Sequence, residues 1–249
     1  MVRVRYCRFI AQGREMSGEL KENVVIGSDG KHYDPNEITW LPPAKPSKII
    51  GLVLNYSDHA NELGIATAPE PVLLWKPNSA LIGHLGGIVY PSGATFMHYE
   101  AELVIVMGRE CRRVKASNAL SFVKGYTIGN DVTVRDFITN TFRPPIKAKG
   151  FDTFLPLGPC IATPDEIPDV SNLKLTTKVN GEIRQEGNTK NLMHSVQKLI
   201  EYISEFMTLD PDDLIMTGTP KGISPIVPGD VVEISIDNIG TLKNTVIKE

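Results

Sequence analysis

Two acids, Glu100 and Glu102, sit inside the run His98-Tyr99-Glu100-Ala101-Glu102-Leu103-Val104-Ile105-Val106-Met107-Gly108, which is otherwise apolar and rich in β-branched residues. Such a run reads as a buried strand carrying charges. Alternate strand residues share a face, so the two carboxylates point the same way, roughly 6 to 7 Å apart at about 3.3 Å per residue. At an effective dielectric of about 20 they repel by roughly 2 to 3 kcal/mol before any desolvation. A positive partner is expected between them. For a lone Glu-x-Glu, an edge strand with acids facing solvent is the competing reading. Downstream, Gly125-Tyr126-Thr127-Ile128-Gly129-Asn130-Asp131 reads as a second strand ending in an acid at a turn, where the carboxylate can swing towards the first pair. Three carboxylates without Cys or His make a hard oxygen site suited to magnesium, manganese or calcium, open to substrate where magnesium keeps displaceable waters.

Other residues carry weaker signals. Ser57 and Gly64 bracket a short helix with Ser57 as N-cap and Gly64 as stop. Within it His59 and Glu62 are three apart and share a face, so Glu62 can orient the imidazole; a solvated helix face is the alternative. The chain from Asp131 to Thr139 is expected to turn helical, placing Arg135 either beside the acids or in a salt bridge to Asp131 or Asp136. Arg143-Pro144-Pro145-Ile146-Lys147-Ala148-Lys149-Gly150 reads as a restricted basic loop, and lysines in loops are usually solvated. Leu214 to Gly222 ends a strand in a Gly-bracketed turn whose hydroxyls and amides can receive an anion. Cys7, Cys111 and Cys160 are far apart, with no zinc-like or redox spacing, and read as reduced thiols.

The elements that must position these groups are mostly strands. The N-terminus alternates as short strands with turns at Gly13, Gly18 and Ser28-Asp29-Gly30, and the proline-rich Leu41 to Ser47 connector closes a small β domain over residues 1–47. Residues 48–249 then form the second domain. Lys48 to Leu54 and Pro71 to Pro77 read as strands. Asn180-Gly181 between Leu173–Val179 and Glu182–Gln185 is the strongest hairpin signal, suited to a type I′ turn. Val196, Leu199, Ile200, Ile203, Phe206 and Met207 recur at three and four, giving one amphipathic helix. Many short strands with few helices indicate a β-rich α+β fold. The 249 residues, 41% hydrophobic and 22% charged, suffice for a large core, and a net charge of −3 with scattered Lys and Arg disfavours nucleic acid. No apolar run is long enough to span a bilayer, and Met1 to Gly13 has no apolar leader segment, so a cytoplasmic location without membrane association is expected.

Taken together, Asn55-Tyr56-Ser57-Asp58-His59, Leu74-Trp75-Lys76-Pro77, His98-Tyr99-Glu100-Ala101-Glu102, Gly125-Tyr126 to Asp131, Lys149-Gly150-Phe151-Asp152 and Thr217-Gly218-Thr219-Pro220 resemble the fumarylacetoacetate hydrolase family in order and spacing from about Lys48 onward. The resemblance implies a mixed β-roll catalytic domain, a small N-terminal β domain, a homodimer, and magnesium or manganese held by Glu100, Glu102 and Asp131. It also implies a metal-side lysine at Lys149, a substrate-facing Arg135, a carboxylate-binding Thr219, and an acid/base dyad of His59 and Glu62 on a lid that closes over the metal.

Family hydrolases commonly carry a glutamine one turn past the arginine, where this chain has Ile138. Arg143-Pro144, with Lys147 to Asp152 and Leu157-Gly158-Pro159, is similar to the branch acting on 5-oxopent-3-ene-1,2,5-tricarboxylate and 2-hydroxyhepta-2,4-diene-1,7-dioate, where Arg143 and Lys147 can hold a remote carboxylate. A decarboxylase/isomerase of unsaturated 2-oxo dicarboxylates from homoprotocatechuate breakdown is therefore the leading expectation. An acylpyruvate-type hydrolase, an oxaloacetate decarboxylase, a metal-stabilised 2-oxo acid binding module and a metal nuclease are the alternatives, the last disfavoured by the acidic balance.

Overall fold

The Ala101–Met107 strand is buried at every position, the pattern produced when neighbours flank both edges and both faces are covered. It pairs antiparallel with Val123–Asn130 on one side and Leu214–Met216 on the other. The structure is a computed structural model that describes residues 5–64, 68–138 and 144–249. Outward from this strand, a large mixed sheet continues through Val123–Asn130 to Leu155–Ala162, Arg5–Ala11, Arg14–Lys21, Val24–Gly27 and His32–Tyr33. In the other direction it passes through Leu214–Met216 to Ile49–Val53, paired in parallel, and ends at the edge strand Val72–Lys76.

A second sheet runs Glu182–Asn188, Lys174–Val179, Val231–Ile236, Gly240–Lys248 and Gly87–Tyr90. Apolar side chains from both sheets, among them Leu103, Ile105, Ile128, Leu175, Ile234 and Leu242, join one core. The expected hairpin forms, with Asn180 at φ 53° and Gly181 at φ 83°, both in the left-handed region that a type I′ turn requires. The amphipathic segment forms helix Val196–Phe206, capped by Ser195, which accepts from the Lys198 N–H; it buries Val196, Leu199, Ile200 and Ile203 in that core. The β-rich α+β class read from the sequence is the class observed.

Three local expectations are corrected. Ser57 is the first residue of helix Ser57–Leu63 rather than its cap; Tyr56 occupies the cap without a side-chain bond, whereas Gly64 does stop the helix at φ 64°. After Asp131 the chain makes a two-residue strand, Thr133–Val134, before a 3-10 turn at Arg135–Phe137. Pairing of Thr133 with His98 fixes that extended geometry, so tertiary contact overrides the helical tendency. The basic stretch read as a loop contains a short helix, Ile146–Lys149, that buries Lys149. Arg143 lies outside the described residues.

The N-terminal strands enclose a core of their own, Cys7, Phe9, Ala11, Val25, Ile38 and Trp40, closed by Cys160 from the Leu155–Ala162 strand. All three cysteines are free and buried. Against this core lies His84, whose ring meets Trp40 edge-on at 5.2 Å and whose Nδ1 accepts the Lys243 N–H at 3.0 Å. Burial, aided by the Lys243 charge, pulls its pKa down from 6.5 to about 4. Protonation would remove the Nδ1 acceptor. The unfolded chain binds that proton first, so the contribution is present above about pH 6.5 and is lost as the pH falls towards about 4. We expect His84 to account for roughly 2 kcal/mol of the stability lost in urea denaturation between about pH 7 and about pH 5, so that the loss is smaller by about that much in His84→Gln. An unchanged pH dependence in the variant would remove His84 as its source.

Candidate active site

The antiparallel register that pairs Ala101 with Asn130 brings residues 100 and 131 to the same end of two strands. The Asp131 N–H donates to the Glu100 carbonyl at 2.9 Å, and the Asn130 side-chain oxygen accepts the Glu100 N–H at 3.0 Å. Glu100, Glu102 and Asp131 are all buried, and one carboxylate oxygen from each lies within 4.8 Å of the others. Glu102 Oε2 accepts the Gly218 N–H at 2.7 Å. Gly218 stands at φ 87°, a conformation that favours glycine, and a Cβ there would crowd Asn55 at 3.2 Å, so the turn that delivers this amide suits glycine.

Positive partners are present, though on Glu100 and Asp131 rather than between Glu100 and Glu102. Lys149 Nζ donates to Glu100 Oε2 at 2.8 Å, Asp131 Oδ2 at 2.7 Å and Thr133 Oγ1 at 2.8 Å. Lys76 Nζ donates to Asp131 Oδ1 at 2.6 Å, and Arg135 Nη1 lies 3.3 Å from Glu100 Oε1. Arg135 thus pairs with Glu100 rather than with Asp131 or Asp136. Burial alone would lower the Lys149 pKa, but Asp131 and Glu100 hold it above the usual lysine range. Burial would raise Asp131, and the Lys149 and Lys76 ammonium groups instead pull it below the usual carboxylate range. Glu102 is the under-compensated member: burial, then Asp131 and Glu100, push it well above the carboxylate range. A buried, oxygen-only donor set with one carboxylate left short of positive charge is the chemistry that fits a hard divalent cation.

The Thr217–Gly222 turn links this centre to helix Ser57–Leu63. His59 Nδ1 sits 2.9 Å from Glu62 Oε2, and Glu62 Oε1 accepts the Gly222 N–H at 3.0 Å. In the tautomer that donates its Nδ1–H to the Glu62 carboxylate, Nε2 is left as the acceptor nitrogen. Thr219 is buried in the same turn, between the Gly218 amide on Glu102 and the Gly222 amide on Glu62. Ile138 is exposed at 42%, and Lys147 Nζ stands over the Phe137 ring at 4.1 Å.

Sequence reasoning missed Lys76 and Gln185. In strand Val72–Lys76, Leu74 and Lys76 share the buried face, so alternation from an apolar neighbour put an ammonium group in the core; that was the available signal. Gln185, buried against Thr219, gave none.

A β-rich fold that buries three carboxylates against two lysines, with a histidine and glutamate pair reaching the same turn, defines an acid-centred enzyme site. The chain belongs to the fumarylacetoacetate hydrolase family: residues 48–247 match the family described as Fumarylacetoacetate (FAA) hydrolase C-terminal. It is 42% identical over 228 residues to the 4-hydroxyphenylacetate degradation bifunctional isomerase/decarboxylase of Salmonella dublin, covering 92% of this chain and 53% of that protein. The chain therefore spans about half the length of this bifunctional relative. The structure is similar to that of 5-carboxymethyl-2-hydroxymuconate delta-isomerase from Mycobacterium smegmatis, at 39% identity and TM-score 0.88 over 98% of this chain and 99% of that one. It is also similar to 2-hydroxyhepta-2,4-diene-1,7-dioate isomerase from Mycobacterium marinum, at 35% identity and TM-score 0.87, covering 99% of each chain.

Proposed function

We propose that the protein is a divalent-metal-dependent decarboxylase/isomerase of unsaturated 2-oxo dicarboxylates formed in homoprotocatechuate catabolism. The observation that carries this reading is the buried cluster of Glu100, Glu102 and Asp131 with Lys149, in a chain related to a 4-hydroxyphenylacetate degradation bifunctional isomerase/decarboxylase and to a 5-carboxymethyl-2-hydroxymuconate delta-isomerase. The three carboxylates would hold Mg2+ or Mn2+, which when bound supplies Lewis-acid polarisation of a 2-oxo group. Lys149 holds a fixed positive charge beside that group. Arg135 and Thr219 receive the 2-oxo carboxylate, and Arg143 the remote one. As carbon dioxide leaves, the bonding pair of the broken C–C bond passes into the conjugated 2-oxo system. His59, oriented by Glu62, then moves a proton between carbons through Nε2, and helix Ser57–Leu63 is the lid that excludes water.

Ile138, apolar and exposed, offers no group to orient an attacking water, which favours proton transfer over hydrolysis. Magnesium-loaded protein should release carbon dioxide from 5-oxopent-3-ene-1,2,5-tricarboxylate and isomerise 2-hydroxyhepta-2,4-diene-1,7-dioate, with pyruvate formed from an acylpyruvate at least about tenfold more slowly. Rapid pyruvate release with no carbon dioxide from the tricarboxylate would replace this reading with a hydrolase.

Val72 and Trp75, exposed on an edge strand, support assembly as a homodimer. The N-terminal core, which only Cys160 joins from the later chain, supports a division into domains 1–47 and 48–249. Among the described residues no helix is long and apolar enough to cross a membrane, and we expect the enzyme to work in the cytoplasm on small-molecule substrates, without nucleic acid.

A further inference from the structure

The Asn180-Gly181 hairpin places Gln185 beneath the Thr217–Gly222 turn, where it is 2% exposed and fully committed. Its Oε1 accepts from Thr177 Oγ1 at 2.9 Å. Its Nε2 donates to the Pro220 carbonyl at 2.8 Å and to Thr219 Oγ1 at 2.9 Å. A carbonyl can only accept, so the Pro220 contact decides which end of the amide faces the turn. Both Nε2 protons are then spent, one of them on Thr219. The Thr219 oxygen is consequently an acceptor in this contact, and its own proton must be donated elsewhere. Among the described residues it meets no acceptor, although Thr219 is only 4% exposed and its neighbour Gly218 is bonded to Glu102.

We propose that Gln185 is a positioning residue that acts through Thr219, fixing that hydroxyl as a donor aimed at an acceptor-only group, a carboxylate oxygen of the substrate. The inference rests on the 2-oxo carboxylate reading of the site and adds the device that sets its preference for an anion at this position. The same amide would turn away a ligand that presents a donor there, because the only hydrogen available already points at it.

Oxalate binding to the manganese-loaded protein, followed by calorimetry, tests this without relying on turnover. Thr219→Val should weaken oxalate by roughly tenfold to a hundredfold, the range for a hydrogen bond to a charged group, and Thr219→Ser should restore most of it. Gln185→Leu should weaken oxalate by about tenfold. Gln185→Glu, nearly the same shape, should weaken it further, because a carboxyl oxygen captures the Thr219 proton and turns the hydroxyl lone pairs towards the ligand. The double variant Gln185→Leu with Thr219→Val should be no weaker than Thr219→Val alone, and manganese affinity should be unchanged in every variant. Wild-type oxalate affinity in both Gln185 variants, with Thr219→Val impaired, would overturn the positioning role. Wild-type affinity in Thr219→Val would overturn it as well, on a protein whose hairpin is intact. Failure of the wild-type protein itself to bind oxalate would instead remove the 2-oxo carboxylate reading on which the inference stands.

Discussion

Glu102→Ala should lose measurable manganese affinity and about a thousandfold in turnover while remaining folded. Glu102 is the carboxylate whose burial and whose neighbours Asp131 and Glu100 all oppose its ionisation, with only Lys149 and the Gly218 amide acting for it. Its removal takes away a third of the oxygen ligands and several kcal/mol of charge stabilisation that a bound cation provides, and about 4 kcal/mol corresponds to about a thousandfold. It also removes the source of like-charge repulsion, so the metal-free variant should melt within a few degrees of wild type. The pH dependence follows from the same cause. A carboxylate with a raised folded value keeps its proton above the ordinary range, and a cation must displace that proton, so manganese affinity of the wild type should fall as the pH falls. Calorimetric titration of both proteins with manganese decides the matter; equal affinities would end the assignment of Glu102 as a ligand.

Lys149→Met should instead cost stability as well as activity. Its ammonium group is the shared donor to Glu100 and Asp131, and all three groups are buried. Removing one partner of a buried ion pair leaves uncompensated charge and costs about 3 to 5 kcal/mol. The sign of each shift locates the effect. Lys149 is raised, so its contribution is complete below the ordinary lysine value of 10.5 and fades only at higher pH; Asp131 is lowered, so its contribution is complete above 3.8 and fades in acid. The deficit should therefore be constant across neutral pH. Added manganese should recover part of it, because a cation among the acids takes over some of the compensation. Equal urea midpoints for variant and wild type without metal would refute the account.

Much of this site was legible before any coordinates. Glu100 and Glu102 announce themselves because a charge in a β-branched run conflicts with the period around it, and Asp131 because it ends the adjacent strand. The Asn180-Gly181 hairpin and the Val196–Phe206 helix follow from local rules that tertiary contacts did not override. What stayed hidden depends on pairs distant in sequence. Lys76 meets Asp131 across 55 residues, and nothing near Lys76 names its partner. Read from its own neighbours, Lys149 belongs to a solvated loop; only the resemblance singled it out, and a one-turn helix accounts for its burial. Local rules place Thr133 in a helix because its pairing with His98 lies outside any local window.

The strand Leu155–Ala162 pairs along one edge with Val123–Asn130, and on its other edge Ala162 and Ile161 pair with Arg5 and Tyr6. The N-terminal segment thus covers the Ile161–Ala162 end of that strand, whose backbone donors and acceptors would otherwise be open to an extended chain. Without the Arg5–Ala11 strand that end of the edge would be exposed together with Cys160, whose side chain closes the N-terminal core, giving an apolar template for strand addition.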